Sequence, residues 1–265
     1  MSQSENMVQV SNEHGYFSSR VLKSYTSHML MRTEAIALLK YQPAFADRDV
    51  LDIGIGSGRT TIYLAPLAKR YVGIDYSPTF VDHTQKTMPQ VRTQLGDMRD
   101  LNGFGAEEFD FVMASYNVID CVSHEDRLKT LSEVYRVLKP GGIFLFSSHN
   151  RAYESTGKGP KLELSIDPFR QAKRAARWLI RLRNHAKWKK QHVFTDTYAI
   201  VTDEAFDFSA LHYYITQKYQ RRQLEESNFT TLEVFDIVGN LLAPQAVDTQ
   251  SPWLMYVAQK RLSSS

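Results

Sequence analysis

The 265-residue chain holds a single cysteine, Cys121. No disulfide can close within it, which fits a reducing compartment, and no cysteine cluster offers a zinc or iron–sulfur site. No apolar run approaches the roughly 20 residues that span a bilayer. The opening MSQSENMVQVSNEHGYF lacks the apolar stretch of a secretory signal. Together these absences set the expectation of a cytoplasmic protein without a metal. Charge of one sign is also missing overall: 32 Lys and Arg stand against 29 Asp and Glu, for a net charge of +3. The whole-chain balance therefore says little about partners. What is present is ordinary for a globular protein with a sizeable core, at 43% hydrophobic and 23% charged residues.

Periodicity organises the chain. Val21, Leu22, Tyr25, Met29, Ile36 and Leu39 recur at helical spacing, which predicts one or two helices ahead of the first strand. Short apolar runs then alternate with helical patterns. Strands are predicted at 49–54, 71–76, 91–97, 109–115 and 142–150. TTIYLAPLAKR is read as a helix after the first strand. Another is read at 124–138, with Leu128, Leu131, Val134, Tyr135 and Leu138 on its apolar face. Repeated strand–helix–strand units imply a parallel sheet with helices on both faces, and ligands bind beyond the carboxyl ends of such strands. That rule collects Gly54 to Gly58, Asp75, Asp97, the segment 115–120, His149 and Asn150. His124, in SHEDR, reads as a surface residue.

Composition shifts after residue 150. Segment 167–192 carries nine Lys or Arg and one acid. Residues 197–216 read as two strands joined by an acidic turn, a helix follows, and two final strands fall at 230–238 and 252–260. The expected organisation is an N-terminal helical segment, 1–47, over the ligand site; a core of 48–150 and 215–265; and an α+β cap insertion at 151–214.

The stretch DVLDIGIGSGR selects among nucleotides. A dinucleotide turn is G-x-G-x-x-G, whereas Gly54, Gly56 and Gly58 give G-x-G-x-G and Arg59 stands where the third glycine would be. No G-K-[ST] follows, which excludes a P-loop. Asp52 lies two residues before the first glycine, Asp75 closes the second strand and Asp97 the third. Acids at successive strand ends beside a glycine turn favour a nucleoside.

This set resembles the class I S-adenosylmethionine-dependent methyltransferases over residues 48 to 148. VLDIGIGSGRTT, YVGIDYSP, LGDMRDL, FDFVMASYNVIDCV and LSEVYRVLKPGGIFLF match that family's motifs in order. The resemblance implies a Rossmann-like α/β fold: a seven-stranded, mostly parallel sheet with helices on both faces and an antiparallel last strand. It implies S-adenosylmethionine as cofactor, leaving as S-adenosylhomocysteine. Gly54, Gly56 and Gly58 would admit the methionine part and Asp52 would orient its amino group. Asp75, with Tyr76 beside it, would take the ribose; Asp97 and Met98 would hold the adenine. Ser115 and Tyr116 would lie near the sulfonium, and Arg20 and Tyr25 would fold over from the N-terminal segment.

The acceptor is less legible, because alignment and exclusion of water are the main demands on such a protein. His149 and Tyr116 are the candidate catalytic residues. Asp120, Asn150, His212 and Tyr214 are candidate substrate contacts, with His212 and Tyr214 on one face of a strand and Tyr213 on the other. Strand four ends in ASYN, not the D/N-P-P-Y/F of exocyclic base amine methylation, and Cys121 is not in a Pro-Cys context. These features leave oxygen, nitrogen or, behind them, carbon methylation; oxygen or nitrogen of a small molecule is the expected acceptor, anionic acceptors included. The basic segment is open to three readings: a solvated cap helix packed through Ala175, Trp178, Leu179, Leu182 and Ala186; a lid that draws anions; or a docking helix for membrane or RNA. The alternative substrate on that last reading is a macromolecule or a lipid-linked molecule docked by the helix. A cofactor-binding protein without turnover is the reading from another class.

Overall fold

The computed structural model describes Val8, Ser11, Asn12 and residues 29–262. Arg20 and Tyr25 lie outside the described residues. Helices α1 (Arg32–Lys40) and α2 (Gln42–Phe45) lead into strand β1 (Asp49–Ile53). There follow α3 (Thr61–Leu64), β2 (Arg70–Asp75), α4 (Pro78–Thr87), β3 (Thr93–Leu95), β4 (Phe109–Ala114), α5 (His124–Val137) and β5 (Leu138–Asn150). Helix α3 is a single turn, shorter than its apolar pattern suggests, because Pro66 has no amide hydrogen to continue the ladder.

Strands β1 to β5 run parallel in the order 3-2-1-4-5. Alternation sorts their side chains into two cores. Along β4, Phe111 and Met113 join Val50, Leu145 and Met255 on one face, while Val112 and Ala114 join Leu51, Phe144 and Leu131 on the other. In α5 the buried residues are Arg127, Thr130, Leu131, Val134 and Val137. Leu128, expected inside, is instead 41% exposed.

The remaining elements are α6 (Pro168–Trp188), β6 (Val193–Phe194), β7 (Tyr198–Thr202), β8 (Leu211–Ile215), α7 (Gln217–Glu226), β9 (Phe229–Phe235) and β10 (Trp253–Lys260). Asp167 caps α6 by accepting from the amides of Phe169 and Arg170. Strand β10 is antiparallel to both β5 and β9. The sheet has ten strands rather than seven. The three extra ones, β6 to β8, come from the segment after residue 150.

Their attachment positions the site. Strand β5 pairs with β4 up to Phe146 on one side and with β10 from Ile143 to His149 on the other. Beyond the end of β4, the side of β5 that β4 vacates is taken by β8, through His149↔Tyr214 and Asn150↔Ile215. The β7–β8 hairpin therefore stands above the carboxyl end of β4. No described helix is long and apolar enough to cross a membrane.

Candidate active site

The turn after β1 is held by backbone bonds. Gly54 and Ile55 both donate to the Ile74 carbonyl, at 2.8 and 3.2 Å, and the Gly58 amide closes back onto Ile55 at 2.9 Å. Gly54 adopts φ +71°, and a Cβ there would sit 2.5 Å from Val118 Cγ2. Gly56 has φ +53°, and a Cβ there would meet nothing within 4 Å, because the residue lines a cleft. This backbone cradle opens into about 1080 Å³ of space continuous with solvent. Asp75, Tyr76, Asp97, Met98, Ser115 and Tyr116 line the same cleft. Asp52 and Gly58 do not.

The three strand-end acids differ in environment. Asp75 is buried and accepts from the amides of Gly56 and Ser77, each at 2.9 Å. Burial pushes its carboxyl up to about 6, against the pull of those amides. The Tyr76 amide adds to these; a carboxylate has about four lone-pair positions, so acceptor capacity is still left for a ligand. Asp97 is more open and is bound by Arg99, whose Nη2 lies 2.6 Å from Oδ2. Arg99 Nη1 in turn reaches Asp126 at 3.0 Å. Asp52 points away from the cleft lining: its carboxylate accepts from Thr60 at 2.7 Å and Tyr71 at 2.8 Å. Burial raises it to about 6. Its place is to brace the turn from behind.

A second layer was not legible in the motifs. Glu34, from the first turn of α1, is buried and takes both Nη atoms of Arg59, with Nη2 at 2.8 Å from Oε1. Ser115 donates to the same carboxylate. Arg59 lines the cleft and lies over the Tyr116 ring, 5.1 Å from its centroid. The charged residue that breaks the dinucleotide pattern is thus a wall of the site. Tyr116 and Asn117 follow β4 with φ of +57° and +60°. Two consecutive non-glycine residues in that region cost on the order of 1–3 kcal/mol each. Asn12 also lines the cleft, donating to the carbonyls of Cys121 and Leu211 at 3.1 Å each.

The other expected acceptor residues gather elsewhere. His149, Asp120, Asn150, His212 and Tyr214 do not line the cleft. His149 is held between two carboxylates: Nδ1 stands 2.8 Å from Asp120, outside hydrogen-bond alignment, and Nε2 stands 3.8 Å from Asp203. Asp203 accepts from Tyr214 at 2.7 Å and pairs with His212 Nδ1 at 3.0 Å. Burial pushes Asp203 up, but His212 and the other partners more than offset this and leave it well below the carboxylate range. Burial lowers His212, and the facing Asp203 carries it back above the imidazole range. Asp120 is fully buried against Arg127, which also donates to Ile119, Ser148, Gln220 and Gln223. The Asn150 amide ties down the carbonyls of Asp248 and Ser251. His124 is not a free surface residue: Nδ1 is 2.9 Å from the Tyr213 hydroxyl and the ring stacks on Tyr198. Among the described residues, no group of three or more His, Cys, Asp or Glu is placed to hold a metal ion.

The cleft fits S-adenosylmethionine on three counts. The Gly56 backbone leaves room that any side chain would fill, the Asp75 carboxylate is available to ribose hydroxyls, and Met98 presents an apolar surface beside Asp97.

Comparison with known proteins agrees. Residues 50–142 match a family described as a methyltransferase domain. The chain is 34% identical over 124 residues to a probable S-adenosylmethionine-dependent methyltransferase of Mycolicibacterium smegmatis, covering 47% of this chain and 45% of that protein. The chain spans about half the length of the curated relatives it matches. Among solved structures, the CcbJ methyltransferase of Streptomyces caelestis superposes with a TM-score of 0.62 at 16% identity, covering 94% of this chain and 98% of that one. The 1,6-didemethyltoxoflavin N1-methyltransferase of Burkholderia thailandensis, solved with its acceptor and S-adenosylhomocysteine, gives 0.59 at 15% identity, covering 96% and 87%. These two likenesses establish the fold.

Proposed function

From the class I S-adenosylmethionine-dependent methyltransferase domain that the chain carries, we propose that the protein transfers a methyl group from S-adenosylmethionine to an oxygen or nitrogen of a small molecule. When bound, the cofactor supplies a methyl group already activated on a sulfonium. The chain's part is to bind, align and exclude water. The Gly54–Gly56 backbone and Asp75 hold the cofactor, with Met98 and the Asp97–Arg99 pair at the adenine end. Tyr116 faces the acceptor. Its left-handed backbone and the Arg59 guanidinium under its ring fix it at the end of β4. We assign His149 a positioning role, because Asp120 and Asp203 fix its ring away from the cleft lining. The acceptor enters the cleft beside Tyr116. The reducing environment expected from the single cysteine supports a cytoplasmic setting.

One observation carries this reading: a glycine cradle and two strand-end carboxylates converge on one cleft beside a backbone-strained tyrosine. Titration calorimetry with S-adenosylmethionine and S-adenosylhomocysteine tests the cofactor, with binding near −8 kcal/mol expected for about micromolar affinity. Release of S-adenosylhomocysteine with a panel of hydroxyl- and amine-bearing heterocycles tests the acceptor. No binding of either ligand overturns the proposal; binding with no turnover on any acceptor leaves a cofactor-binding protein.

A further inference from the structure

Helix α6 presents two different faces. Gln171, Ala175, Trp178, Leu182 and His185 recur at four- and three-residue steps and are half-buried against the body of the protein. Trp178 Nε1 donates to the Pro160 carbonyl at 3.2 Å, and His185 Nδ1 lies 2.9 Å from the Thr202 hydroxyl. Arg177 and Arg181 anchor the helix on Asp207, at 2.7 and 2.8 Å. The expected packing stripe is therefore only partly right: Leu179 and Ala186 point outward.

The outer face is a second row at the same spacing: Phe169, Lys173, Ala176, Ile180, Arg183 and Lys187, all exposed. Leu179 lies beside it. Phe169 is 83% exposed, Leu179 60% and Ile180 55%. The segment entering the helix adds Leu164 at 79% and Ile166 fully exposed. Helix α6 contains seven Lys or Arg and no acid. Lys173 and Arg183 form no ion pair with any described residue. Exposed aliphatic and aromatic side chains alternate with Lys173, Arg183 and Lys187 along a helix of 21 residues, or roughly 30 Å.

We propose that the outer face of α6, with the segment 164–169, docks the protein on an anionic lipid bilayer surface. The cations meet lipid phosphates, and Phe169, Leu179 and Ile180 enter the boundary between headgroups and acyl chains. Charge complementarity selects an anionic surface. The apolar residues select a bilayer over a nucleic acid, since phosphate contacts need cations but give exposed aliphatic side chains nothing to bury against. The helix does not insert across the membrane; it lies along it, held to the protein by its inner row. This inference is independent of the acceptor.

The test is sedimentation of the full chain with vesicles of phosphatidylcholine, alone or with about one-third phosphatidylglycerol, at low and moderate salt. Binding is expected only to the anionic vesicles and should weaken with salt. Neutralising one basic residue costs about fivefold in partitioning, so Lys173→Ala/Arg183→Ala should lose about 25-fold. Leu179→Ser/Ile180→Ser keeps every charge and should lose about tenfold or more, with melting temperature and cofactor affinity unchanged. Absence of binding to anionic vesicles overturns the proposal. So does RNA binding that Leu179→Ser/Ile180→Ser leaves intact in place of vesicle binding. A self-associated chain that the same variant makes monomeric, with no vesicle binding, overturns it in favour of a second copy on this face.

Discussion

Arg127→Met probes the largest fully buried side chain among the described residues. The guanidinium sits at 0% exposure against Asp120, also at 0%. It donates to Gln223 Oε1, the Ile119 carbonyl and Ser148 Oγ, each at 3.0 Å, and lies over Tyr213 at 4.5 Å from its centroid. Methionine replaces most of the volume but leaves Asp120 as a buried charge without its cation. Removing one partner of such a pair costs about 3–5 kcal/mol. At about 2–4 °C per kcal/mol for a chain near this size, the melting temperature should fall by about 6–20 °C. The pH dependence gives a second readout. Burial pushes Asp120 up, but Arg127 and His149 outweigh it, so its pKa in the folded wild type lies below the ordinary value. Its stabilising contribution is present above the unfolded pKa and is lost as pH falls through the folded one. Without Arg127, burial dominates and raises the folded pKa, so the variant gains stability on acidification. The deficit should therefore narrow as pH falls from neutrality. Adding Asp120→Asn should recover stability, with a coupling of about 1–3 kcal/mol. Thermal denaturation by calorimetry measures all three. A single-variant cost under about 1 kcal/mol, or a deficit that widens as pH falls, would refute the reasoning.

Asp75→Asn should weaken S-adenosylmethionine binding by about 1.5–3 kcal/mol in calorimetry, through loss of a charge-assisted contact. With the Asp75 carboxyl pushed up to about 6 by burial, wild-type affinity should fall as pH drops through that value, because hydroxyl donors require the carboxylate; the variant should show a flatter profile. Gly54→Ala should cost about 2–4 kcal/mol in denaturant unfolding, combining a left-handed backbone with a Cβ driven into Val118. A cost below about 1 kcal/mol would mean that the turn relaxes and that the Val118 contact does not define the cradle.

The strand ends were legible because their evidence is local. The glycine turn, Asp75 and Asp97 each follow a short apolar run, and period-two burial kept those runs readable. What remained hidden depends on partners distant in sequence. Glu34 and Arg59 are 25 residues apart, and Arg127 meets Gln223 at a separation of 96. In a helical pattern an arginine reads as solvent-facing. Its burial turned the apolar face of α5 by one residue and left Leu128 outside. Asp203 read only as part of an acidic turn, since its meaning depends on His149 and His212 across the sheet. Asp97 was visible as a strand-end acid, but nothing in LGDMRDL announced that Arg99 would fold back onto it.

The backbone pairing of β8 with the end of β5 has a consequence for how the site can be altered. A hairpin joined to the sheet through His149↔Tyr214 and Asn150↔Ile215 is a fixed surface. It cannot swing aside as a hinged flap without breaking sheet pairing. The side chains along β7 and β8 are nearly all buried and so are constrained by packing, and grafting a foreign loop in place of 151–214 would unzip the last two residues of β5. A chimera that keeps β8 in register should retain the pairing of His149 and Asn150; one that omits it should lose that pairing even with every cofactor-facing residue in place.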